Sequence, residues 1–196
     1  GVTFNDVLID SDGNIVVVGK TSSTDLVTGS LTGAFIVKYD SDGNEIWRNI
    51  YGTDSDSEFV SIVEDNDGNY VMAGHHEANA WGYVVDKTGL EVLSRTNGAT
   101  NYRYQYEEVI INSAGNYVFI GESVAVQSGT SSSCYSSSYQ RRIYRHESYF
   151  TEYDNLGRVV NTTKNTVYYS EYYACTTSVS GTTAQNMGQF IKIMEI

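Results

Sequence analysis

The side chains able to do chemistry here are mainly carboxylates, followed by three histidines and a group of tyrosines and arginines. Asp10-Ser-Asp-Gly13 and Asp65-Asn-Asp-Gly68 match the start of a calcium-binding loop, in which side-chain oxygens hold a hard cation. The bidentate acid that completes such a loop is missing, because a β-rich segment follows each glycine at once. The pattern therefore favours structural turns, and we predict no cofactor, with calcium at these turns as the alternative.

The histidines are the second candidate, because His75-His76-Glu77 offers metal ligands on a loop. Adjacent side chains of an extended chain point to opposite sides, so the two histidines are not expected to share a metal. The serines lie in low-complexity loops, without the sharp turn that presents a nucleophile to a base and an orienting acid. We predict no metal site and no enzyme, and a glycan-active hydrolase or lyase is the second alternative for function.

A long insertion combines tyrosines with a basic cluster in an otherwise acidic chain. Tyrosine rings and guanidinium groups offer flat apolar contact and polar donors, which suit a glycan or an acidic protein surface. The alternation Tyr102-x-Tyr104-x-Tyr106 favours strand residues that cover a sheet instead. The predicted binding residues are Tyr135, Tyr139, Arg141, Arg142, Tyr144, Arg145 and His146.

The elements that would position these groups are β-hairpins, which recur along the chain. Six times an Asp or Asn is followed three positions later by Gly, between β-rich segments. The Asx side chain accepts backbone N–H bonds and starts the turn, and glycine takes the position with φ > 0. The predicted turn pairs are Asp10 and Gly13, Asp40 and Gly43, Asp65 and Gly68, Asp86 and Gly89, Asn112 and Gly115, and Asp154 and Gly157.

Two kinds of hairpin alternate, and their spacing defines a repeat. Measured from glycine to glycine, one kind recurs after 55 and 47 residues and the other after 46 and 68. Four strands in about 50 residues is the size of a propeller blade. We predict a single all-β, β-propeller-like domain over 1–196, with four-stranded antiparallel blades at about 4–52, 58–98, 106–165 and 166–196. The fourth blade is degraded and lacks its last outer strand.

Three blocks carry a family resemblance: DSDGNIVVVGKTSS, GAFIVKYDSDGNEIWRNIYG and EFVSIVEDNDGNYVMAGHHE. They resemble the extracellular β-propeller repeat of bacterial secreted and surface proteins. The resemblance is good over 4–123 and fair over 148–160. It implies a fold and an extracellular or cell-surface location. It implies no activity, because the repeated residues are turn and core positions and the fold hosts many functions.

The composition of the chain limits which classes of partner are expected. The net charge of −12 argues against nucleic acid and anionic membranes, which need clustered cations. No apolar run is long enough for a membrane span, so no membrane insertion is expected. Cys134 and Cys175 suit an exported protein. A disulfide between them would close a loop of about 40 residues and stabilise the fold by roughly 3–4 kcal/mol, and two unpaired thiols are the alternative.

The repeat also separates two faces and leaves an edge. Tight hairpins of a blade share one face and irregular loops share the other, where binding usually occurs. The third strand of the predicted fourth blade, Gln189–Glu195, lacks an outer neighbour. Its free N–H and C=O groups are a template for another chain, unless the edge stays open or the sequence is a piece of something longer. The predicted assembly edge is Phe190, Ile191, Lys192, Ile193, Met194 and Glu195.

These features predict a non-catalytic structural or assembly subunit that acts through its open sheet edge. Its expected partners are other copies of itself or other surface proteins. The alternative is a carbohydrate- or protein-binding module that uses the irregular loop face, for which the partners include glycans.

Overall fold

A computed structural model describes the backbone of residues 1–22, 32–98, 103–127, 139–178 and 181–190. It describes the side chains of 1–22, 32–98, 103–124 and 145–166. Over these residues the chain is all-β, which confirms that part of the predicted fold class, and it contains no helix that could span a membrane. The chain divides into two compact units, Gly1–Glu122 with Tyr149–Thr163, and Ser123–Ser148 with Lys164–Ile196.

The described residues form thirteen strands in three sheets. The first sheet has the order β1-β2-β3-β4, the second β5-β6-β7-β8 and the third β13-β12-β11-β10-β9. The strands are β1 (Val2–Ile9), β2 (Ile15–Thr21), β3 (Gly33–Tyr39), β4 (Glu45–Tyr51), β5 (Ser57–Glu64), β6 (Tyr70–His76), β7 (Asn79–Val85), β8 (Glu91–Asn97), β9 (Arg103–Ile111), β10 (Tyr117–Gln127), β11 (Tyr139–Tyr153), β12 (Val159–Ser178) and β13 (Gly181–Phe190).

A tight hairpin is present at each of the six Asx–Gly positions. At the first, Gly13 N donates to Asp10 O at 2.9 Å, and Asp10 N donates to Asn14 O at 2.9 Å. Asp10 Oδ1 also accepts from the backbone nitrogens of Asp12 and Asn14. The six turn glycines have φ between 72° and 86°, a region that side chains rarely adopt. In each turn the Asx residue thus supplies the hydrogen bonds, and the glycine supplies the backbone conformation with positive φ.

The first core lies between the first and second sheets. Every second residue of β2 and β3 is buried in it: Val16, Val18, Ala34 and Ile36 have no exposed surface. We call this set the small-residue face of the first sheet. It meets the aromatic face of the second sheet, which consists of Phe59, Tyr70, Trp81 and Tyr83.

The second core repeats this arrangement one sheet further along. The small-residue face of the second sheet meets the aromatic face of the third sheet. Gly82 has no side chain where a Cβ would come within 2.7 Å of the Phe119 ring, so the ring fits directly against the strand. The second sheet contributes Val71, Ala73, Ala80 and Val84, and the third contributes Tyr104, Tyr106, Tyr117, Phe119, Tyr149 and Tyr153. Both cores therefore join small or aliphatic residues to aromatic rings.

The described residues form three sheets where four were predicted. Glu171–Thr177, predicted to lie in a fourth blade as the counterpart of Val16–Ser22, instead continues β12, which runs for 20 residues from Val159 to Ser178. This stretch is rich in Thr, Tyr and Val and contains no glycine, so it keeps the extended conformation. β13 pairs antiparallel with β12 and forms the edge of the third sheet. Phe190 ends β13, and the other predicted assembly-edge residues, 191–195, lie outside the described residues.

Candidate functional site

The predicted tyrosine and arginine cluster is described only at Arg145 and His146, in β11. Arg145 Nη2 forms an ion pair with Glu147 Oε1, and Glu147 is 1% exposed. Ser123 Oγ donates to the other oxygen of Glu147 at 3.1 Å, and Lys164 Nζ lies 3.8 Å from it. Arg145 therefore neutralises an internal carboxylate. The sequence analysis missed Glu147, because an acid in a polar segment gives no local signal of burial.

The other predicted residues of this region lie outside what the structure describes in atomic detail. Tyr139, Arg141, Arg142 and Tyr144 belong to β11, but their side chains are outside the described residues, as is all of Tyr135. Cys134 is outside them too. Cys175 belongs to β12 without a described side chain, so the disulfide stays a prediction.

The two adjacent histidines at the end of β6 have different neighbours. His76 Nδ1 lies 2.8 Å from Ser57 Oγ and its ring packs on Trp81 at 5.1 Å. His75 Nε2 lies 4.0 Å from Asp56 Oδ2, and burial lowers the pKa of His75. Ser57 is completely buried, so its hydroxyl is not open to a substrate. The serine–histidine contact therefore braces the connection between β4 and β5 and does not present a nucleophile.

Asp56 is the exposed member of this loop cluster. Its carboxylate accepts a hydrogen bond from Thr32 Oγ1, and Arg103 Nη2 lies 3.5 Å away. Its backbone oxygen accepts from Glu77 N at 2.7 Å, and Glu77 has a positive φ of 56°. Residues in or beside four connections on the predicted binding face thus meet at Asp56, whose carboxylate is half exposed, and this cluster was not predicted from the sequence.

A second polar cluster is buried between the first two sheets, at their hairpin end. Lys38 Nζ lies 2.9 Å from Asp10 Oδ2 and donates to Tyr70 Oη at 2.8 Å. Tyr70 Oη in turn donates to Asp10 Oδ2 at 2.7 Å. Burial works to raise the pKa of Asp10, but hydrogen bonds from Lys38, Tyr70 and Asn14 outweigh it and hold that pKa well below its ordinary value. Burial and the neighbouring Asp10 raise the pKa of Tyr70.

The same positions of later repeats carry related contacts with different charges. Tyr117, which occupies the position of Tyr70 one sheet further on, donates its hydroxyl to Asp65 Oδ2 at 2.8 Å. In the third sheet the hydrogen-bond donor and acceptor change places: Asn112 takes the position of Asp10 and donates its amide to Glu152, which takes the position of Lys38. The polar groups in these contacts are hydrogen-bonded to one another within the fold. They position the hairpins and leave no polar group open to a ligand at the Asp10 cluster.

The most exposed apolar surface lies on the other side of the first sheet. Strand register places Phe4 opposite Gly19, Gly19 opposite Phe35 and Phe35 opposite Ile50. This is the position of Phe59, Gly74 and Trp81 in the second sheet, so this is the aromatic face of the first sheet. The rings of Phe4 and Phe35 meet edge to face at 5.7 Å.

We call this surface the open aromatic face after the exposed side chains of β1; Phe35 and Val37, on β3 of the same face, are buried at 4% and 7% exposed. The side chains of β1 are more than half exposed there: Val2 56%, Phe4 63%, Val7 58% and Ile9 65%. It contains a shallow cavity of about 150 Å³ lined by Val2, Phe4, Thr21, Phe35, Val37, Tyr39, Glu45, Arg48 and Ile50.

No protein-family model and no curated protein matches the chain. Among the surfaces described above, the open aromatic face has the most exposed apolar side chains on one strand, β1. Its equivalent in the second sheet, the aromatic face with Phe59 and Trp81, is buried against the first sheet. A sequence signal for it exists in the runs Ile15–Val18 and Phe35–Val37, which are apolar at consecutive positions and so on both faces of the sheet. It is therefore the candidate functional site.

Proposed function

We propose that the protein is a non-catalytic structural or assembly subunit, located outside the cell or on its surface, whose open aromatic face packs on a further β-sheet. The exposure of four apolar side chains on β1 carries this proposal. Removing apolar surface from water is favourable by about 25 cal/mol per Å², and contiguous exposed patches mark interaction sites. The equivalent face of the second sheet is buried, which supports a sheet as the partner.

We propose further that the sheets are blades of a β-propeller. The first and second sheets each have four antiparallel strands in chain order, as a blade does. β5 contacts both β1 and β9, so the first strands of successive sheets are neighbours, as innermost strands around a propeller axis are. The proposed extracellular location rests on the repeat resemblance and on the two cysteines. Finding the protein in the exported fraction tests this location.

Hydroxyl-radical footprinting tests the assembly proposal without knowledge of the partner. The oxidation of Phe4 and Ile9 is compared between dilute purified protein and the protein in its native extracellular material. Leu90 and Leu156, which are 68% and 62% exposed, serve as controls on the hairpins. We expect several-fold protection of the β1 residues and unchanged controls. Equal oxidation of Phe4 in both samples would reject the proposal.

A binding module that uses the loop face is the second candidate, and the loop cluster around Asp56 favours it. Asp56 is half exposed and is held between Thr32 and Arg103, which presents a fixed carboxylate beside a guanidinium. Such a pair suits the hydroxyl groups of a glycan or the charges of a protein surface. Carbodiimide labelling of Asp56 in the same native material separates the two functions. Protection of Asp56 without protection of Phe4 indicates the binding module.

A further inference from the structure

We infer that the sheet taken up by the open aromatic face is the outer face of the third sheet in a second copy of this chain. This inference rests on the proposed function and names the partner. The outer face of the third sheet is the side away from its aromatic rings. Its residues include Ile110, Val118, Ile120 and Phe150, and Ile110 and Ile120 are 46% and 42% exposed.

The two internal interfaces supply the rule on which the inference depends. In each of them, a small-residue face of one sheet meets the aromatic face of the next sheet along the chain. Val16 and Val18 hold the central positions of the first interface, and Val71 and Ala73 hold them in the second. Val118 and Ile120 follow the Asn112 hairpin at the same spacing. At these two positions the outer face of the third sheet is aliphatic, like the faces that receive aromatic rings, whereas Phe150 stands where those faces have Ile36 and Gly82.

The polar contacts at the hairpin end give an independent reason. At both internal interfaces a tyrosine donates its hydroxyl to an aspartate of the preceding sheet, as in Tyr70 to Asp10 and Tyr117 to Asp65. Ile15 replaces the tyrosine on the open aromatic face. Asn112 replaces the aspartate in the third sheet, and its amide already donates to Glu152.

The open aromatic face and the outer face of the third sheet thus lack opposite halves of the same contact. Packing an aromatic face with Tyr at position 15 against Asn112 would bury a hydroxyl without its carboxylate, and packing Ile15 against an aspartate would bury a carboxylate without its donor. Either mismatch costs free energy, because buried polar groups need partners. Ile15 against Asn112 leaves neither group unpaired. The two ends of the described repeat array match each other.

Since the two faces differ, the contact is heterologous. Each copy offers one open aromatic face and one outer face of the third sheet, so association continues from copy to copy until it closes into a ring or extends as a filament. A variant with one face blocked can then act only as a chain end.

The test uses two variants of the full chain, Phe4→Asp and Ile120→Asp. Each places a charge on one face at an exposed position, and circular dichroism checks that each variant is folded. In sedimentation velocity up to millimolar concentration, we expect wild-type protein to form species larger than a dimer and each variant alone to stay monomeric. An equimolar mixture should form a one-to-one heterodimer, because each variant retains the face that the other has lost. Leu90→Asp, on a hairpin, should associate like wild type.

Three sedimentation results would overturn the inference. The first is a monomeric wild-type chain at all concentrations, and the second is a mixture of the two variants that stays monomeric. The third is a homodimer of either variant, since it requires a face to pair with itself. If Phe4→Asp fails to fold, Val7→Asp on the same face replaces it. Footprint protection of Phe4 in native material together with a monomeric purified chain would reject the second copy as partner and leave the proposed function standing.

Discussion

The two faces of the first sheet are made from the same strands, and they differ in exposure along β1, although Phe35 and Val37 of β3 are buried on the open aromatic face as well. Val16, Val18 and Ile36 on the small-residue face have no exposed surface, whereas Phe4 and Ile9 on the open aromatic face are more than 60% exposed. Composition does not distinguish them, because both are apolar. Strands that are apolar on both faces are typical of sheets covered on both sides. The first sheet therefore carries apolar residues on both faces, and on the open aromatic face the side chains of β1 remain exposed.

The largest expected loss of stability is at Lys38, which lies at the hairpin end of the covered face. Lys38→Met leaves the carboxylate of Asp10 buried beside an apolar side chain. We expect the free energy of unfolding to fall by about 3–5 kcal/mol, because an uncompensated buried charge is strongly destabilising. Urea denaturation followed by circular dichroism measures it.

The double variant Lys38→Met with Asp10→Asn is the control. It removes the second charge as well, and Val84, at the position of Lys38 in the second sheet, shows that an apolar side chain fits there. Most of the lost stability should return. A single variant that is as stable as wild type would mean that Asp10 is not held in its charged form by Lys38.

A matched pair of isoleucines tests the difference in burial between the two faces. Ile36 is fully buried on the covered face and Ile9 is 65% exposed on the open face. In dilute solution Ile36→Ala should lower the free energy of unfolding by about 2–4 kcal/mol, from lost burial and the cavity that remains. Ile9→Ala should change it by less than about 0.5 kcal/mol, as surface substitutions usually do. Comparable losses at both positions would show that the open face is covered in the monomer.

The features that could be predicted from the sequence are those that depend on residues close together in the chain. Asx–Gly pairs such as Asp10 and Gly13 predicted the hairpins, because a turn depends on residues four positions apart. Glu171–Thr177 was placed in a fourth sheet because its sequence aligns with Val16–Ser22, although no Asx–Gly turn separates it from the preceding residues of β12. The pairing of Asp10 with Lys38 and Tyr70 joins residues far apart in sequence, and only the lone lysine within the apolar run of β3 hinted at it. The open face was visible as a two-sided apolar pattern, but a pattern does not show which side is covered.

Acid titration tests the charge that distinguishes the covered face. The folded-state pKa of Asp10 lies below its ordinary value of 3.8, because hydrogen bonds from Lys38, Tyr70 and Asn14 overcome the opposing effect of burial. A group with a lowered folded-state pKa contributes full stability above its unfolded pKa and loses that contribution as the pH falls towards the folded value. We expect the free energy of unfolding to decline below about pH 4, and Asp10→Asn should flatten this decline.

Asp40 is the matched control for the titration. It holds an equivalent turn, and the hydrogen bond from Asn44 lowers its pKa, but it is less buried than Asp10 and no described lysine or tyrosine pairs with its carboxylate. Asp40→Asn should therefore flatten the acid decline less than Asp10→Asn does. Equal effects of the two substitutions would assign the acid dependence to the turns in general and not to the covered face.

The smallest expected effect is at the hairpin glycines, which belong to neither face. Gly13 has φ of +83°, and a Cβ added there would meet no atom within 4 Å. Gly13→Ala should thus cost about 1 kcal/mol from backbone strain alone, whether or not the open face is covered. Gly13→Asn should cost less, because asparagine tolerates the left-handed region better than alanine does. Gly157→Ala should cost more, because its Cβ would lie 2.5 Å from Leu93 Cδ1. Thermal unfolding of the three variants measures this order. If Gly13→Ala and Gly157→Ala were equally destabilising, backbone conformation and not side-chain crowding would decide the stability of both hairpins.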